Sequence, residues 1–214
     1  PGVREVHAVD DTGVHPLLLA LGSERQVPYA ELKPRELLTQ ACSLLGFGQL
    51  SLAKVVMIAD GARGDAPSAA DAAPFLRHML ERVDWRRDLR ILTQMPTDTL
   101  DYTGGELHGG SKMIWSVAGA PRRRLSEELP ETFPLPASFG PVKLGFPGVL
   151  VVRGAAWRNK EEAIREMDQL ANRLSGVELD SWPLIAVVDD VDRAASSLRN
   201  LLWTIFTRID PASD

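Results

Sequence analysis

The sequence predicts an α/β fold: a single domain over residues 1–214, in three layers, with a mostly parallel sheet and helices on both faces. Three observations predict it. Short β-branched runs end in acid, as in Val55-Val-Met-Ile-Ala59 before Asp60 and Pro183-Leu-Ile-Ala-Val-Val188 before Asp189. Buried parallel strands that deliver a loop to one sheet edge look like this. Segments with apolar residues at helical spacing lie between such runs. Finally, a unit recurs: Leu76, Arg82, Asp84 and Asp88 align with Leu202, Arg208, Asp210 and Asp214, so strand, acidic loop, helix and an R-[VI]-D-x-x-x-D turn occur twice.

In order, Val3–Val9 and Pro16–Leu21 read as two strands around the turn Asp10-Asp11-Thr12-Gly13. Pro34 opens a helix with Leu37, Leu38, Cys42 and Leu45 on one face, stopped by Gly46 and Gly48. Cys42 is expected to be a buried small hydrophobe. After the strand at 55–59, Asp71 is placed to cap a helix carrying Phe75, Leu76, Met79, Leu80 and Val83. Leu89–Thr93 returns as a strand, Met113–Val117 is another, and residues 130–147 read as a long proline-rich connection. Gly148–Val152 then forms a strand, Asn159 and Glu162 make a capping box, and Ile164, Met167, Leu170, Ala171 and Leu174 form a stripe ended by Gly176. Pro183–Val188 closes this β-α-β unit.

Composition excludes several classes of function. A net charge of −5 and a pI near 5.4 argue against nucleic acid, whose phosphates need a basic face. Arg122-Arg123-Arg124 is the lone basic run, a solvated stretch or a contact to an acidic neighbour. One cysteine rules out an internal disulfide and a multi-cysteine zinc site and fits a reducing compartment. No apolar run approaches the roughly 18 residues of a membrane helix, so a soluble, cytoplasmic protein is expected. The chain opens Pro1-Gly2-Val3 without an initiator Met and stops at Asp214, where the repeat leads one to expect a further strand; both ends look cut.

The stretch of greatest chemical interest is Thr99–Trp115, which holds four glycines, His108 and Lys112. Paired glycines let backbone N–H groups approach an anion, and a lysine at the exit adds a point charge. The spacing matches neither a P-loop nor a dinucleotide fingerprint, and on spacing alone a plain surface turn accounts for it more simply. Asp189, Asp190 and Asp192 could in principle hold Mg²⁺, but helix capping explains them more simply. His7, His15, His78 and His108 show no ligand spacing; His108 alone stays a candidate neighbour of a substrate or cofactor. Trp115, Trp182 and Trp203 suit a core or an interface. No nucleophile–base–acid set can be assembled, so no catalytic residue is assigned.

Five ordered segments, His15–Arg25, Glu36–Gln40, Gly48–Lys54, Leu100–Gly105 with Gly110–Met113, and Leu202–Pro211, together resemble the C-terminal region of UbiD-family (polyprenyl-hydroxybenzoate decarboxylase-like) decarboxylases. The resemblance runs over nearly the whole chain. It implies a reversible, non-oxidative decarboxylation of an aromatic or α,β-unsaturated acid with prenylated FMN, a divalent metal and K⁺ belonging to the full-length enzyme. It places the catalytic Glu-Arg-Glu set in a preceding barrel domain, absent here, so the fragment alone should be silent. It gives this domain the work of oligomerisation and of closing over the cofactor. Gly110, Ser111 and Lys112 carry over as contacts to the flavin phosphate. Implied partners are the chain's own N-terminal barrel domain, further copies of itself and a flavin prenyltransferase. Gly61-Ala-Arg-Gly64 departs from the family's run of aspartates and valines. A second reading keeps the same fold as a non-enzymatic assembly module.

Overall fold

A computed structural model describes residues 2–13, 15–23 and 25–214. The chain divides into two compact units: Pro1–Arg122 with Ile205–Asp214, and Arg123–Thr204.

The first unit is built on a five-stranded sheet. Its strands are β1 (Val3–Ala8), β2 (Leu17–Gly22), β3 (Val55–Asp60), β4 (Leu89–Pro96) and β5 (Gly109–Val117), in the order β1-β2-β3-β5-β4. The central β2, β3 and β5 are parallel, whereas β1 on β2 and β4 on β5 are antiparallel. The mostly parallel sheet expected from the sequence is thus a mixed one. The reason is connection length. A single 3₁₀ turn (Asp10–Thr12) joins β1 to β2 and the 97–108 hairpin joins β4 to β5, and neither carries the helix that usually makes a parallel crossover.

Between β2 and β3 runs α1 (Pro34–Leu45). Proline begins it at N1, and Glu36 accepts from the Lys33 N–H (2.7 Å) and the Gln26 N–H (2.5 Å), satisfying donors that the first turn cannot. Leu37, Ala41, Leu44 and Leu45 pack onto Leu18, Ala20, Val56, Ile58 and Ile114. Ala41, rather than Cys42, fills the i+4 position below Leu37, and Cys42 is exposed, against expectation. The alternate sheet residues Leu17, Leu19, Leu21, Val55, Met57 and Ala59 are equally buried, so both faces of β2 and β3 are covered. α2 (Ala72–Arg82) buries Phe75, Leu76, Met79 and Leu80; Asp71 stands at its N-cap without a side-chain cap bond. The short α3 (Trp85–Asp88) leads into β4, and Trp85 meets Trp115 edge-on at 4.8 Å.

In the second unit β6 (Val142–Phe146), β7 (Val149–Arg153) and β8 (Leu184–Val188) form a separate sheet, with β6 antiparallel and β8 parallel to β7. The sequence reading missed β6, because Pro141 and Pro147 flank an otherwise alternating Val-Lys-Leu-Gly-Phe. The hairpin closes at Gly148, whose φ of +76° and whose Cβ position 2.6 Å from Leu125 Cδ2 admit only glycine. α4 (Lys160–Leu174) crosses over between β7 and β8, as expected, and Asn159 Oδ1 accepts from the Glu162 N–H at 2.9 Å. Its stripe is only partly covered: Leu170 is buried among Phe139 and Val152, while Ile164 and Met167 stay exposed. α5 (Val191–Ala194) is capped by Asp190, which accepts from the Arg193 N–H at 2.9 Å, and α6 (Leu198–Arg208) follows. Asp192 pairs with Lys143 at 2.5 Å. Asp190 therefore caps a helix, as the simpler reading held, while Asp192 also pairs with a lysine.

The repeated turn is matched bond for bond. The Asp84 N–H donates to the Asp88 carboxylate at 2.9 Å and the Asp88 N–H returns to the Asp84 carbonyl at 2.8 Å. At the second copy the Asp210 N–H reaches the Asp214 carboxylate at 2.8 Å and the Asp214 N–H the Asp210 carbonyl at 3.0 Å.

Candidate functional site

The glycine-rich stretch folds as a hairpin arm and a strand. Gly109, Gly110, Ser111 and Lys112 are the first four residues of β5, paired across to Pro96, Met95 and Leu92 of β4. Gly104 has its own reason to be glycine: a Cβ there would lie 1.9 Å from the Gly109 carbonyl oxygen, so the two arms of the hairpin could not close. His108 adopts a φ of +63° and is exposed, and its carbonyl accepts from the Thr97 N–H at 3.2 Å.

Lys112 lies inside the fold with no exposed surface. Its Nζ donates to the carbonyls of Ser51 (2.6 Å) and Ala53 (2.7 Å). The mobile ammonium at a loop exit that the spacing suggested is, in this structure, a buried one held by two neutral acceptors. Burial pushes its pKa down to about 8, against the pull of the Asp101 charge.

A second lysine, unassigned from the sequence, lies beside it. Lys54, 2% exposed, directly precedes β3; its Nζ pairs with Asp101 at 2.8 Å and donates to Thr103 Oγ1 (3.1 Å) and the Ile209 carbonyl (3.0 Å). Burial pushes the Asp101 carboxyl up, but bonds from Lys54 and Thr103 outweigh it and hold it below the ordinary carboxylate value. Ser111 donates to the Asp210 carboxylate and accepts from the Ala212 N–H at 2.8 Å. His15, just before β2, pairs with Asp98, whose pKa is lowered by the Leu100 N–H and by His15.

His15, Lys54, Ser111 and Lys112 all stand at the amino-terminal edge of the parallel strands, with the 97–108 segment and Asp210 bonded to them. Of the two buried ammonium groups, Lys54 is paired with Asp101, whereas Lys112 is bonded to carbonyls alone; Asp210 adds a second carboxylate at Ser111. A buried ammonium without a bonded carboxylate favours an anion. The loop beside it exposes Leu100, Tyr102 and Leu107, each more than three-quarters exposed. At the opposite edge, Asp60 is buried: one oxygen accepts from the Ala62 N–H at 2.8 Å, the other has no partner among the described residues, and burial raises its pKa. No cluster of metal-ligating side chains occurs among the described residues.

The profile of the 3-octaprenyl-4-hydroxybenzoate carboxy-lyase C-terminal domain matches residues 1–117, from the start of the chain to the last residue of β5. The chain belongs to the UbiD family. Among relatives, an uncharacterised protein of Chlamydia trachomatis is 34% identical over 216 aligned residues, and a 4-hydroxybenzoate decarboxylase subunit of Chlamydia pneumoniae is 33% identical; both cover all of this chain. This UbiD-family chain spans about a third of the length of those relatives (33% of each). Among solved structures, the vanillic acid decarboxylase of Sedimentibacter hydroxybenzoicus in closed form aligns with 64% of this chain and 26% of its own at 17% identity and a TM-score of 0.45. The UbiD-class enzyme HmfF of Pelotomaculum thermopropionicum in complex with FMN covers 62% and 26% at 15% identity and a TM-score of 0.45. No helix among the described residues is long and apolar enough to cross a membrane.

Proposed function

We propose that this UbiD-family chain is the C-terminal, cofactor-closing and oligomer-forming part of a carboxy-lyase that removes CO₂ from an aromatic or α,β-unsaturated acid with prenylated FMN. The observation that supports the cofactor role is the buried Lys112 at the amino edge of β5, whose ammonium is bonded to carbonyls and to no carboxylate among the described residues, while the neighbouring Lys54 is paired with Asp101. A phosphate suits Lys112, because a desolvated ammonium without a bonded carboxylate gains most from an anion. Lys112 is the group to meet it, with Ser111 and the unhindered backbone at Gly110. Its bonds to the Ser51 and Ala53 carbonyls are neutral ones that a phosphate oxygen can replace. The flavin would supply the centre at which CO₂ leaves. The residues of this chain hold the phosphate end and keep water from it.

The alternative, a module that only assembles, is favoured by one feature, the exposed Leu100, Tyr102 and Leu107 on the 97–108 segment. Lys112→Gln and Lys112→Met in the longer protein separate the two. A phosphate contact predicts weaker flavin retention in both variants with unchanged oligomer size. A pure assembly role predicts unchanged flavin. CO₂ release by the 214-residue chain alone, supplied with cofactor, would refute the division of labour.

A further inference from the structure

The carboxyl-terminal edge of the parallel strands, where α/β sheets usually bind ligands, carries a second and separate feature. A cleft of about 220 Å³ opens there between the first turn of α1 and the ends of β4 and β5, lined by Lys33, Arg35 and Leu38 from the helix side and by Arg87, Arg90 and Ser116 below. The sheet pattern explains its floor. Leu92 and Ile114 lie in the apolar cluster under α1, and Arg90 and Ser116, two residues further along each strand, continue the same rows on the same face. The floor thus turns from apolar to polar where the helix begins.

The charge balance is one-sided. Of four cations, only Arg87 has a carboxylate: Asp88 accepts from its Nε at 2.6 Å and its Nη2 at 2.9 Å. Arg90 Nη1 is held by the carbonyls of Arg87 (2.7 Å) and Leu89 (2.6 Å), which orient it without neutralising it. Lys33 and Arg35 make no direct ion pair among the described residues; the Glu36 carboxylate, bonded to the Lys33 and Gln26 backbone N–H groups, attracts both at longer range. Four cations thus face two carboxylates, Asp88 and Glu36, a local excess of positive charge in a chain of net charge −5.

We propose that this cleft binds the phosphoryl group of a small phosphorylated molecule. The cations without a bonded carboxylate, Lys33, Arg35 and Arg90, approach from the start of α1 and from β4. A tetrahedral dianion can accept from both sides at once, whereas a planar carboxylate engages one guanidinium fork. The volume is below the roughly 300–1,000 Å³ of pockets that enclose a whole cofactor, which suits a phosphoryl headgroup with a short apolar part against Leu38. The site lies at the opposite strand edge from Lys112 and does not depend on the flavin reading.

Titration calorimetry of the full chain with inorganic phosphate and pyrophosphate tests it. Saturable binding is expected, weakened tenfold or more by Arg35→Gln combined with Arg90→Gln. Arg35→Gln alone, an exposed change that leaves the sheet intact, should already weaken it severalfold. The control Arg165→Gln with Arg173→Gln removes the same charge from α4 and should leave affinity unchanged. Absence of saturable heat, or equal weakening by the control pair, overturns the proposal in favour of diffuse surface electrostatics.

Discussion

Replacing Asp101 by Asn removes one negative charge and almost no volume, leaving Lys54 in place with its bonds to Thr103 and the Ile209 carbonyl but without a counter-ion. Lys54 is 2% exposed and the Asp101 side chain 12%, so water can solvate the orphaned ammonium only if the structure opens. Breaking a buried pair on one side costs about 3–5 kcal/mol, against about 0–1 kcal/mol for a solvated surface pair. Lys112, whose ammonium also feels Asp101, adds to the cost rather than relieving it. Native-state hydrogen exchange at the amides of β3 and β5 is the assay, because it reads the opening free energy of this unit. A fall of about 3 kcal/mol or more in protection at Val55–Asp60 is expected. A fall below about 1 kcal/mol would mean that the pair is effectively solvated, and the argument from buried lysines at the amino edge would fail with it.

Two further perturbations address the scaffold. His78 is buried, and burial first, then the Arg82 charge, depresses its pKa from 6.5 to about 4. The unfolded chain therefore binds a proton that the folded chain refuses, so stability is full above pH 6.5 and falls by about 3 kcal/mol as the pH drops towards 4. Denaturant titrations at a series of pH values should show this slope, and His78→Gln should flatten it between 6.5 and 4. Leu37→Ala empties a position with no exposed surface under α1 and should lower the denaturation midpoint by an equivalent of about 2–5 kcal/mol; a loss under about 1 kcal/mol would mean that the helix does not seat on Ile58 and Ile114 as described.

The elements that the sequence announced are those whose signal is local. β2, β3, β7 and β8 are uninterrupted apolar runs, and α1 and α4 carry a proline or asparagine start and a helical stripe within 15 residues. What went unread depends on distant partners. Gly109-Gly110-Ser111 looks like a turn until β4 supplies the other half of the ladder, and only then does Lys112 become a buried residue. His15 meets Asp98 across 83 positions and Lys54 meets Ile209 across 155, separations at which no periodicity speaks. One clue to Lys54 was available. A lone lysine fused to an apolar run, Ala53-Lys54-Val55, must place its charge beside an acid or polar acceptors, and Asp101 was one of the two acids in the stretch already singled out.

The repeated R-[VI]-D-x-x-x-D turn links these observations, because its two copies share one backbone geometry and put it to different use. At Asp84–Asp88 the turn is an internal corner: Asp88 has no exposed surface, grips Arg87 and starts β4. At Asp210–Asp214 the same corner presents its first aspartate outward to Ser111, offers the Ala212 N–H to the same hydroxyl and, one residue earlier, gives the Ile209 carbonyl to Lys54. The second copy thus closes on the start of β5 and the end of the segment before β3, which is why Ile205–Asp214 belongs to the first unit despite the 82 residues that separate them in the chain. A corner whose hydrogen bonds are satisfied internally is rigid. It can therefore hold Ser111 and Lys54 in register from outside the sheet, and a site assembled in this way needs the second copy of the repeat, which lies beyond residue 117 where the family profile ends.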